Sequence, residues 1–146
     1  VHRGVSLVVA VPQEASMSTQ LARSLQPDTV PHQDAIFNLS RSALLIAALI
    51  QSPELLFEAT EDKLHQTYRA SAMQDTDDLL QKLRKQGFAA VVSGAGPSVL
   101  ILCSDPSQRA QVADIVESHG GGSWASHMLT VDERGATVEE VPTLAD

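Results

Sequence analysis

The sequence is poor in cysteine and in aromatic residues. Cys103 is the only cysteine among the 146 residues, and aromatic residues make up 3% of the chain. A lone cysteine excludes a disulfide within the chain, and because Cys103 lies in an apolar run we expect a buried thiol. This usage fits a reducing compartment such as the cytoplasm. With 43% hydrophobic and 19% charged residues, we expect an ordinary globular domain with an aliphatic core.

The chain also lacks an excess of basic charge and a long apolar run. Its formal net charge is -8 and its pI is about 4.9, which argues against a nucleic acid or an anionic membrane as a partner. The run SALLIAALI is about half of the roughly 18 residues that a membrane helix needs. The chain opens with the polar VHRG and no Met, so we expect no signal peptide and a processed or truncated start.

Apolar periodicity and turn-forming residues predict one strand, several helices, a hairpin, a further helix and a second hairpin. This order predicts an α+β fold over 1–146 as a single domain, with helices packed on one face of a four- or five-stranded, mainly antiparallel sheet. The predicted helices are 16–25, 32–50, 52 to about 73, 75–86 and one that begins at 105. The predicted strands are 6–12, two that flank 93–98, and the two of a hairpin over 123–141.

The predicted helix 32–50 carries the most regular apolar pattern of the chain. Ile36, Leu39, Ala43, Ile46 and Ile50 recur at steps of three and four residues. The second half of this segment is apolar on all sides, which is typical of a helix that is buried. We therefore predict that this helix is the buried centre of the domain.

The stretch SGAGPSVLIL, Ser93 to Leu102, raises the question of a phosphate-binding loop. A P-loop needs a Lys and a hydroxyl residue at the start of a helix, and the dinucleotide fingerprint needs a third Gly before a helix. Neither pattern is present, so the residues favour a turn between two strands. Two glycines around Ala95 still leave a ligand loop open, because glycine lets another group approach the backbone closely.

Other candidate residues are weaker. The histidines have no spacing typical of metal ligands, and no serine lies in a nucleophile motif. Glu58, Glu61 and Asp62 are interpreted as a solvated helix face. Arg23 and Arg69 are either surface arginines or forks that bind a carboxylate across a cleft.

Four segments in a fixed order resemble the homoserine kinases of the GHMP kinase superfamily, in their actinobacterial form. These segments are STQLARSLQP at 18–27, HQDAIFNLSRSALLIAAL at 32–49, LHQTYR at 64–69 and SGAGPSVLIL at 93–102. The family's ATP-binding loop, Pro-x-x-x-Gly-Leu-Gly-Ser-Ser, does not occur. The resemblance therefore implies the C-terminal, substrate-side domain alone, which agrees with the predicted α+β class.

The resemblance also implies roles for individual residues. Thr19, next to Ser18, is expected near the transferred phosphate, and Arg23 and Arg69 are expected to bind the substrate, with Arg69 on the homoserine carboxylate. The glycine stretch is expected to border the active site and to support the phosphate loop of the missing half; its residues are Gly94, Ala95, Gly96, Pro97 and Ser98. The family usually has Pro where Thr67 stands, which puts the turn that aims Arg69 in doubt, although Thr also accepts an extended backbone.

The implied reaction is phosphoryl transfer from ATP to the hydroxyl of L-homoserine, a step towards threonine. ATP and Mg²⁺ are expected to be bound mainly by the missing N-terminal half, so the chain alone is expected to be inactive, without cofactor or metal, and prone to self-association. Two alternatives stay open at this point. One is a GHMP kinase with another substrate, and the other is a stand-alone module of GHMP ancestry that binds an amino acid or a partner.

Overall fold

Four antiparallel strands form one sheet in the order β2-β3-β1-β4 in the computed structural model, which describes residues 1–138. The predicted α+β class and the four-stranded antiparallel sheet are confirmed. The strands are β1 (Ser6–Pro12), β2 (Ala89–Val92), β3 (Val99–Cys103) and β4 (Trp124–Leu129). The helices are α1 (Thr19–Ser24), α2 (His32–Ile50), α3 (Leu56–Ala59), α4 (Gln66–Arg69), α5 (Gln74–Lys85) and α6 (Gln108–Glu117), with 3-10 helices at Pro53–Leu55, Ala70–Ala72 and His119–Gly121.

One face of the sheet is closed by α5 and α6. Because side chains alternate along a strand, Val8 and Ala10 of β1 point to the same face as Ile101 of β3, and all three are fully buried. Cys103 is buried there too, as expected, and burial raises the pKa of its thiol to about 11. This core consists of Val8, Ala10, Leu79, Leu80, Leu83, Phe88, Ala90, Val99, Ile101, Cys103, Val112, Val116 and Trp124.

The second half of α2, together with α3, packs on the other face of the sheet, at one of its ends. Ala48 and Leu56 are buried there against Ala89, with Leu7 and Leu102 partly buried beside them. Leu7 pairs with Leu102 across β1 and β3, which fixes the end of the sheet that α2 covers. Helix α2 therefore binds the sheet through one side only.

The prediction that α2 is the buried centre of the domain is wrong, because the side of the helix with the regular apolar pattern faces outward. Of the five residues of the regular pattern, four large side chains are exposed: Ile36, Leu39, Ile46 and Ile50, which we call the α2 stripe. Leu39 is 71% exposed and Ile46 is 63% exposed. The helix instead turns Leu44, Leu45, Ala48 and Leu49 to the sheet. Because the second half is apolar on every side, its pattern could not decide which side packs on the sheet.

The segment 52–73 does not form the continuous helix that its apolar pattern predicts. It contains two short α-helices, α3 and α4, and two 3-10 helices, with a loop from 60 to 65. The carboxylate of Asp62 accepts hydrogen bonds from the backbone amides of residues 64–66, which a continuous helix would bond internally. A side chain that captures amides in this way ends one helix and starts the next.

The last predicted hairpin is found only in its first strand. β4 pairs along its whole length with β1, from Pro12↔Trp124 to Leu7↔Leu129. Within the described part of the predicted second strand, 136–138, no strand is assigned. The rest of that prediction, 139–141, lies outside the described residues.

By length and composition alone, α2 could cross a membrane, since an 18-residue window within its 19 residues has a mean hydropathy of 1.2. This differs from our expectation from the run SALLIAALI, which counted uninterrupted apolar residues only. Asn38 and Arg41 on α2 bind Asp62 and Glu61, respectively. Such polar contacts are typical of a helix that packs within a globular domain, and one candidate helix is weak evidence for a membrane protein.

Candidate functional site

The glycine stretch is a closed turn between β2 and β3, as the residues favoured. The Ser93 amide donates to the carbonyl of Ser98 at 2.8 Å, and the Gly96 amide donates to the carbonyl of Ser93 at 3.0 Å. Gly94 and Gly96 have φ angles of 60° and 88°, a region that side chains disfavour. The Gly96–Pro97 peptide bond is cis. Both glycines are therefore required by the conformation of the turn itself.

The two glycines differ in their surroundings. A Cβ atom at Gly96 would lie 2.8 Å from Met73 Sδ and 3.2 Å from Val92 Cγ1, whereas among the described residues no atom lies within 4 Å of a Cβ at Gly94. The close approach that we expected from another domain is made at Gly96 by Met73 of the same chain. The space beside Gly94 stays open.

Thr76 fixes the other end of the turn, a role that the sequence did not reveal. Its hydroxyl, in a residue that is 2% exposed, donates to the carbonyl of Pro97 at 2.9 Å. Asp75 and Thr76 are residue types that commonly cap a helix, but α5 begins at Gln74 after Met73, with no side-chain cap. Thr76 thus bonds to the turn instead of to its own helix.

Arg69 meets the glycine turn directly. Its Nη1 donates to the carbonyl of Gly94 at 3.0 Å, across 25 residues of sequence. The side chain of Gln66, on the same helix, accepts from the amide of Val92 at 2.7 Å, just before the turn. Helix α4 is therefore bound to this turn at two points, and the structure joins two of the predicted site segments.

Asp62 holds the start of α4. Its carboxylate accepts from the amides of Gln66 at 2.7 Å and His65 at 2.8 Å and from Asn38 Nδ2 at 2.7 Å, and it contacts His65 Nδ1 at 3.1 Å. Burial raises the pKa of this carboxyl, but the hydrogen bonds outweigh burial and hold its pKa at about 2. The interpretation of Asp62 as part of a solvated face is wrong: its side chain is 14% exposed.

The carboxylate of Glu61 is paired as well, with Arg41 Nη2 at 2.7 Å. Asp62 and Glu61 together join the loop before α4 to α2. Thr67 lies in the first turn of α4, not in extended backbone as we suggested. Proline is also accepted in a first helical turn, so the exchange at position 67 fits this geometry.

Helix α1 presents Thr19 and Arg23 on the surface. The Ser18 hydroxyl caps this helix by accepting from the amide of Leu21 at 3.0 Å, while Ala22 is the buried residue of the helix. Thr19 and Arg23 are both exposed, and among residues 1–138 neither side chain forms a hydrogen bond or salt bridge with Arg69 or the glycine turn. The link between α1 and Arg69 is made by Gln26, which the sequence patterns did not single out.

A cavity of about 830 Å³ opens beside the predicted residues. Of these residues only Pro97 lines it, so Arg23 and Arg69 lie outside its wall. The wall is formed by 12–17, 71–76, Pro97 and 120–124. Because the wall includes both Met17, which precedes the cap of α1, and Pro97, the cavity borders the predicted site on the side of α5.

The described residues show neither of two features that commonly bind metal ions and phosphate groups. No three side chains of His, Cys, Asp or Glu come together as metal ligands within 1–138. The glycine turn leads into β3 and not into a helix, so it lacks the ring of amides at a helix start that phosphate loops use. What the geometry does provide is an arginine fork fixed against a glycine turn, which suits an anionic group such as a carboxylate.

Known proteins resemble the chain over nearly its whole length. The homoserine kinases of Leifsonia xyli subsp. xyli and Clavibacter michiganensis subsp. michiganensis are 66% and 64% identical to it over 141 residues, which is 97% of the chain. The homoserine kinase of Streptomyces coelicolor is 48% identical over 139 residues. The chain spans only 43%, 44% and 43% of the lengths of these three relatives.

A solved structure has the same fold. The homoserine kinase from Cytophaga hutchinsonii superposes with a TM-score of 0.80 over 90% of the chain and 43% of that protein, at 18% sequence identity. At this identity the likeness concerns the fold. The family described as GHMP kinases C terminal matches residues 41–122, more than half of the chain. The family model covers the chain from the middle of α2 to the turn at 120–122, and the relatives extend the similarity on both sides of that range. The chain therefore belongs to the family of GHMP kinase C-terminal domains.

Proposed function

We propose that this chain is the C-terminal part of a homoserine kinase, and that 1–146 form one domain of it. The complete protein would transfer the γ-phosphoryl group of ATP to the hydroxyl of L-homoserine. The observation that carries the proposal is the fixed position of Arg69 against the glycine turn, in a chain that is 66% identical to a homoserine kinase. A guanidinium held in one orientation suits recognition of the carboxylate of an amino acid.

In this proposal two arginines bind the substrate. Arg69 pairs with the homoserine carboxylate, and Arg23, which is exposed on α1, helps to hold the substrate. Thr19 lies one turn before Arg23 and places its hydroxyl near the transferred phosphate. The homoserine hydroxyl oxygen forms the new bond to the γ-phosphorus and releases its proton. The bond between the γ-phosphorus and the β,γ-bridging oxygen breaks, and ADP leaves. Such a transfer depends mostly on positioning and charge stabilisation, which is the work of these residues.

ATP and Mg²⁺ belong to the half that this chain lacks. The described residues supply support instead: Gly94, with open space beside it, lets a phosphate loop approach the turn. The chain alone is then inactive because it cannot hold the nucleotide. A cytoplasmic enzyme with the small-molecule partners ATP and L-homoserine fits these assignments.

The α2 stripe is the surface on which we place the N-terminal half. Four large apolar side chains on one helix are exposed, and relatives are more than twice as long as this chain. The family match is to a C-terminal domain, which supports placing the additional length of the relatives before this segment. Asn38 and Arg41 hold α2 to the rest of the domain by polar contacts, and Lys63 lies over the ring of Phe37, which leaves the stripe for the preceding half.

The test starts with the DNA upstream of Val1. The complete gene product, expressed and purified, is assayed for ADP formation with ATP, Mg²⁺ and L-homoserine, and the product is identified as O-phosphohomoserine by mass spectrometry. We expect phosphorylation of L-homoserine in preference to L-serine, L-threonine and mevalonate. Preference for another alcohol would make the protein a GHMP kinase of different substrate. The absence of an upstream half would make it a stand-alone module.

The Arg69→Ala variant of the complete gene product sharpens this test. Truncating one partner of a buried charge pair costs about 2–5 kcal/mol of binding, so KM for L-homoserine should rise steeply. KM for ATP should stay nearly unchanged. Arg3→Ala, at an exposed arginine near the chain start, is the matched control and should leave both values unchanged. An unchanged homoserine KM in the Arg69 variant would show that Arg69 does not bind the substrate.

A further inference from the structure

We propose that Gln26 is a positioning residue that orients the guanidinium of Arg69. This inference rests on the proposed function and deepens it, because it adds a residue that positions one of the proposed substrate arginines. Gln26 follows α1, and its backbone amide donates to the carbonyl of Arg23 at 3.1 Å. Its side chain lies half-buried between α1 and the segment that leads into α4.

The amide of Gln26 is satisfied at both ends in one orientation. Its Nε2 donates to the carbonyl of Leu64 at 2.8 Å, and its Oε1 accepts from Arg69 Nε at 3.1 Å. The opposite orientation brings only a longer contact of 3.4 Å, from Nε2 to the carbonyl of His65. The Leu64 contact fixes which end of the amide is the oxygen, and this oxygen then fixes Arg69.

The guanidinium of Arg69 is consequently held at two of its three nitrogens. Nε donates to Gln26 and Nη1 donates to Gly94. Nη2 remains for a ligand, together with the second hydrogen of Nη1. Two fixed donors set the plane of the group, so the remaining N–H bonds point in one direction. A carboxylate can then bind without first ordering a long flexible side chain, which lowers the entropic cost of binding.

Gln26 also connects the two helices that carry the proposed substrate arginines. Arg23 lies in the last turn of α1, and Arg69 lies in the last turn of α4. A single side chain that starts beside one arginine and ends on the other keeps their spacing constant. Leucine at position 26 would fill the same space but would leave the Nε hydrogen of Arg69 without this acceptor.

The experiment uses the complete gene product and the variants Gln26→Leu, Arg69→Ala and the double variant. A hydrogen bond to a charged group contributes enough that its loss should raise KM for L-homoserine about tenfold in Gln26→Leu. kcat and KM for ATP should stay within about twofold of the parent. Gln86→Leu, at an exposed glutamine after α5, is the matched control and should change none of these values.

The double variant separates positioning from general damage. If Gln26 acts through Arg69, then adding Gln26→Leu to Arg69→Ala should change KM for L-homoserine by less than about twofold, because the interaction is already lost. A tenfold rise in both backgrounds would mean that Gln26 acts on something other than Arg69. That result would overturn the inference.

A spectroscopic readout keeps the inference independent of activity. In protein labelled on arginine with ¹⁵N, the Nε–H signal of Arg69, assigned by its loss in Arg69→Ala, should exchange slowly with solvent. The same signal should exchange about tenfold faster or disappear in Gln26→Leu. Slow exchange without homoserine kinase activity would refute the proposed function and leave the inference supported. Equal exchange in parent and variant would overturn the inference whatever the activity.

Discussion

The two apolar surfaces of this domain look alike in sequence and differ in the structure. Leu79, Leu80 and Leu83 of α5 form a stripe that is buried on the sheet, whereas the equally regular α2 stripe is exposed. Both satisfy the spacing of an amphipathic helix. The comparison shows that such a pattern identifies side chains that stabilise a protein when they are buried, but it does not identify what covers them. For α5 the cover is the sheet of the same chain.

The largest expected effect concerns the assembly of the isolated chain. With the α2 stripe uncovered, the 15.6 kDa chain should form a dimer or a larger oligomer. Light scattering over a range of concentrations measures this directly. The variant Leu39→Glu with Ile46→Glu should shift the chain to monomer, because burying two carboxylates in an apolar interface is costly. Gln74→Glu with Gln81→Glu on α5 adds the same charge at exposed sites and should not shift the chain to monomer. A parent chain that is monomeric at high concentration contradicts the prediction.

The next effect compares the two stripes in stability. Leu79→Ala should lower the free energy of unfolding by about 2–5 kcal/mol, since it leaves a cavity in the closed core. Leu39→Ala should change it by less than about 0.5 kcal/mol at concentrations where the chain is monomeric. Urea unfolding followed by circular dichroism measures both. Equal losses in the two variants would mean that the α2 stripe is packed in the free chain.

The third prediction concerns the loop that sets the position of α4. The carboxyl of Asp62 has a folded-state pKa of about 2, below its ordinary 3.8. Its contribution to stability is therefore complete above about pH 4 and is lost as the pH falls towards 2; the shift corresponds to about 2 kcal/mol.

The measurement for Asp62 is the difference in unfolding free energy between the parent and Asp62→Asn at pH 6 and at pH 2.5. This difference should shrink at the lower pH. Glu58→Gln, at an exposed carboxylate on α3, is the control and should show a smaller change. A difference that is the same at both pH values would show that the hydrogen bonds to Asp62 do not favour its charged form.

The smallest effect is expected at the glycine turn. Thr76→Val keeps the shape of the side chain and removes the hydroxyl that donates to Pro97, which should cost about 1 kcal/mol of stability. Thr67→Val, at an exposed threonine on α4, should cost less. The same urea titrations measure both variants. A loss of stability at position 67 that equals the loss at position 76 would contradict the assigned role of Thr76.

Much of the fold follows from local sequence signals. The bounds of β1 and α2 are those that the β-branched run Ser6–Pro12 and the apolar periodicity of 32–50 predict. The β2–β3 hairpin follows from two β-branched runs around a glycine turn. These elements are decided by their own residues, so a reading of neighbouring positions is sufficient.

Contacts between distant segments could not be predicted in the same way. Asp62 divides a segment with a continuous helical pattern because Asn38, on another helix, reaches its carboxylate. Thr76 looks like a helix cap in sequence, yet its partner Pro97 lies 21 residues away. Gln26 lies within STQLARSLQP, but nothing in that segment distinguishes it from its neighbours. Arg69 contacts the glycine turn, but its role as a substrate ligand stays a prediction, as do the roles of Thr19 and Arg23.

The glycine turn has a consequence for how this motif is used to trace the history of related genes. Gly94 needs its left-handed backbone, and Gly96 needs both its backbone and the space that Met73 occupies. Neither requirement involves a nucleotide. A descendant that had lost phosphoryl transfer altogether would still be selected to keep these two glycines in order to fold. The sequence Gly-Ala-Gly therefore indicates common ancestry of the domain. Whether a relative is active has to be judged from other residues, such as the arginines proposed to bind the substrate.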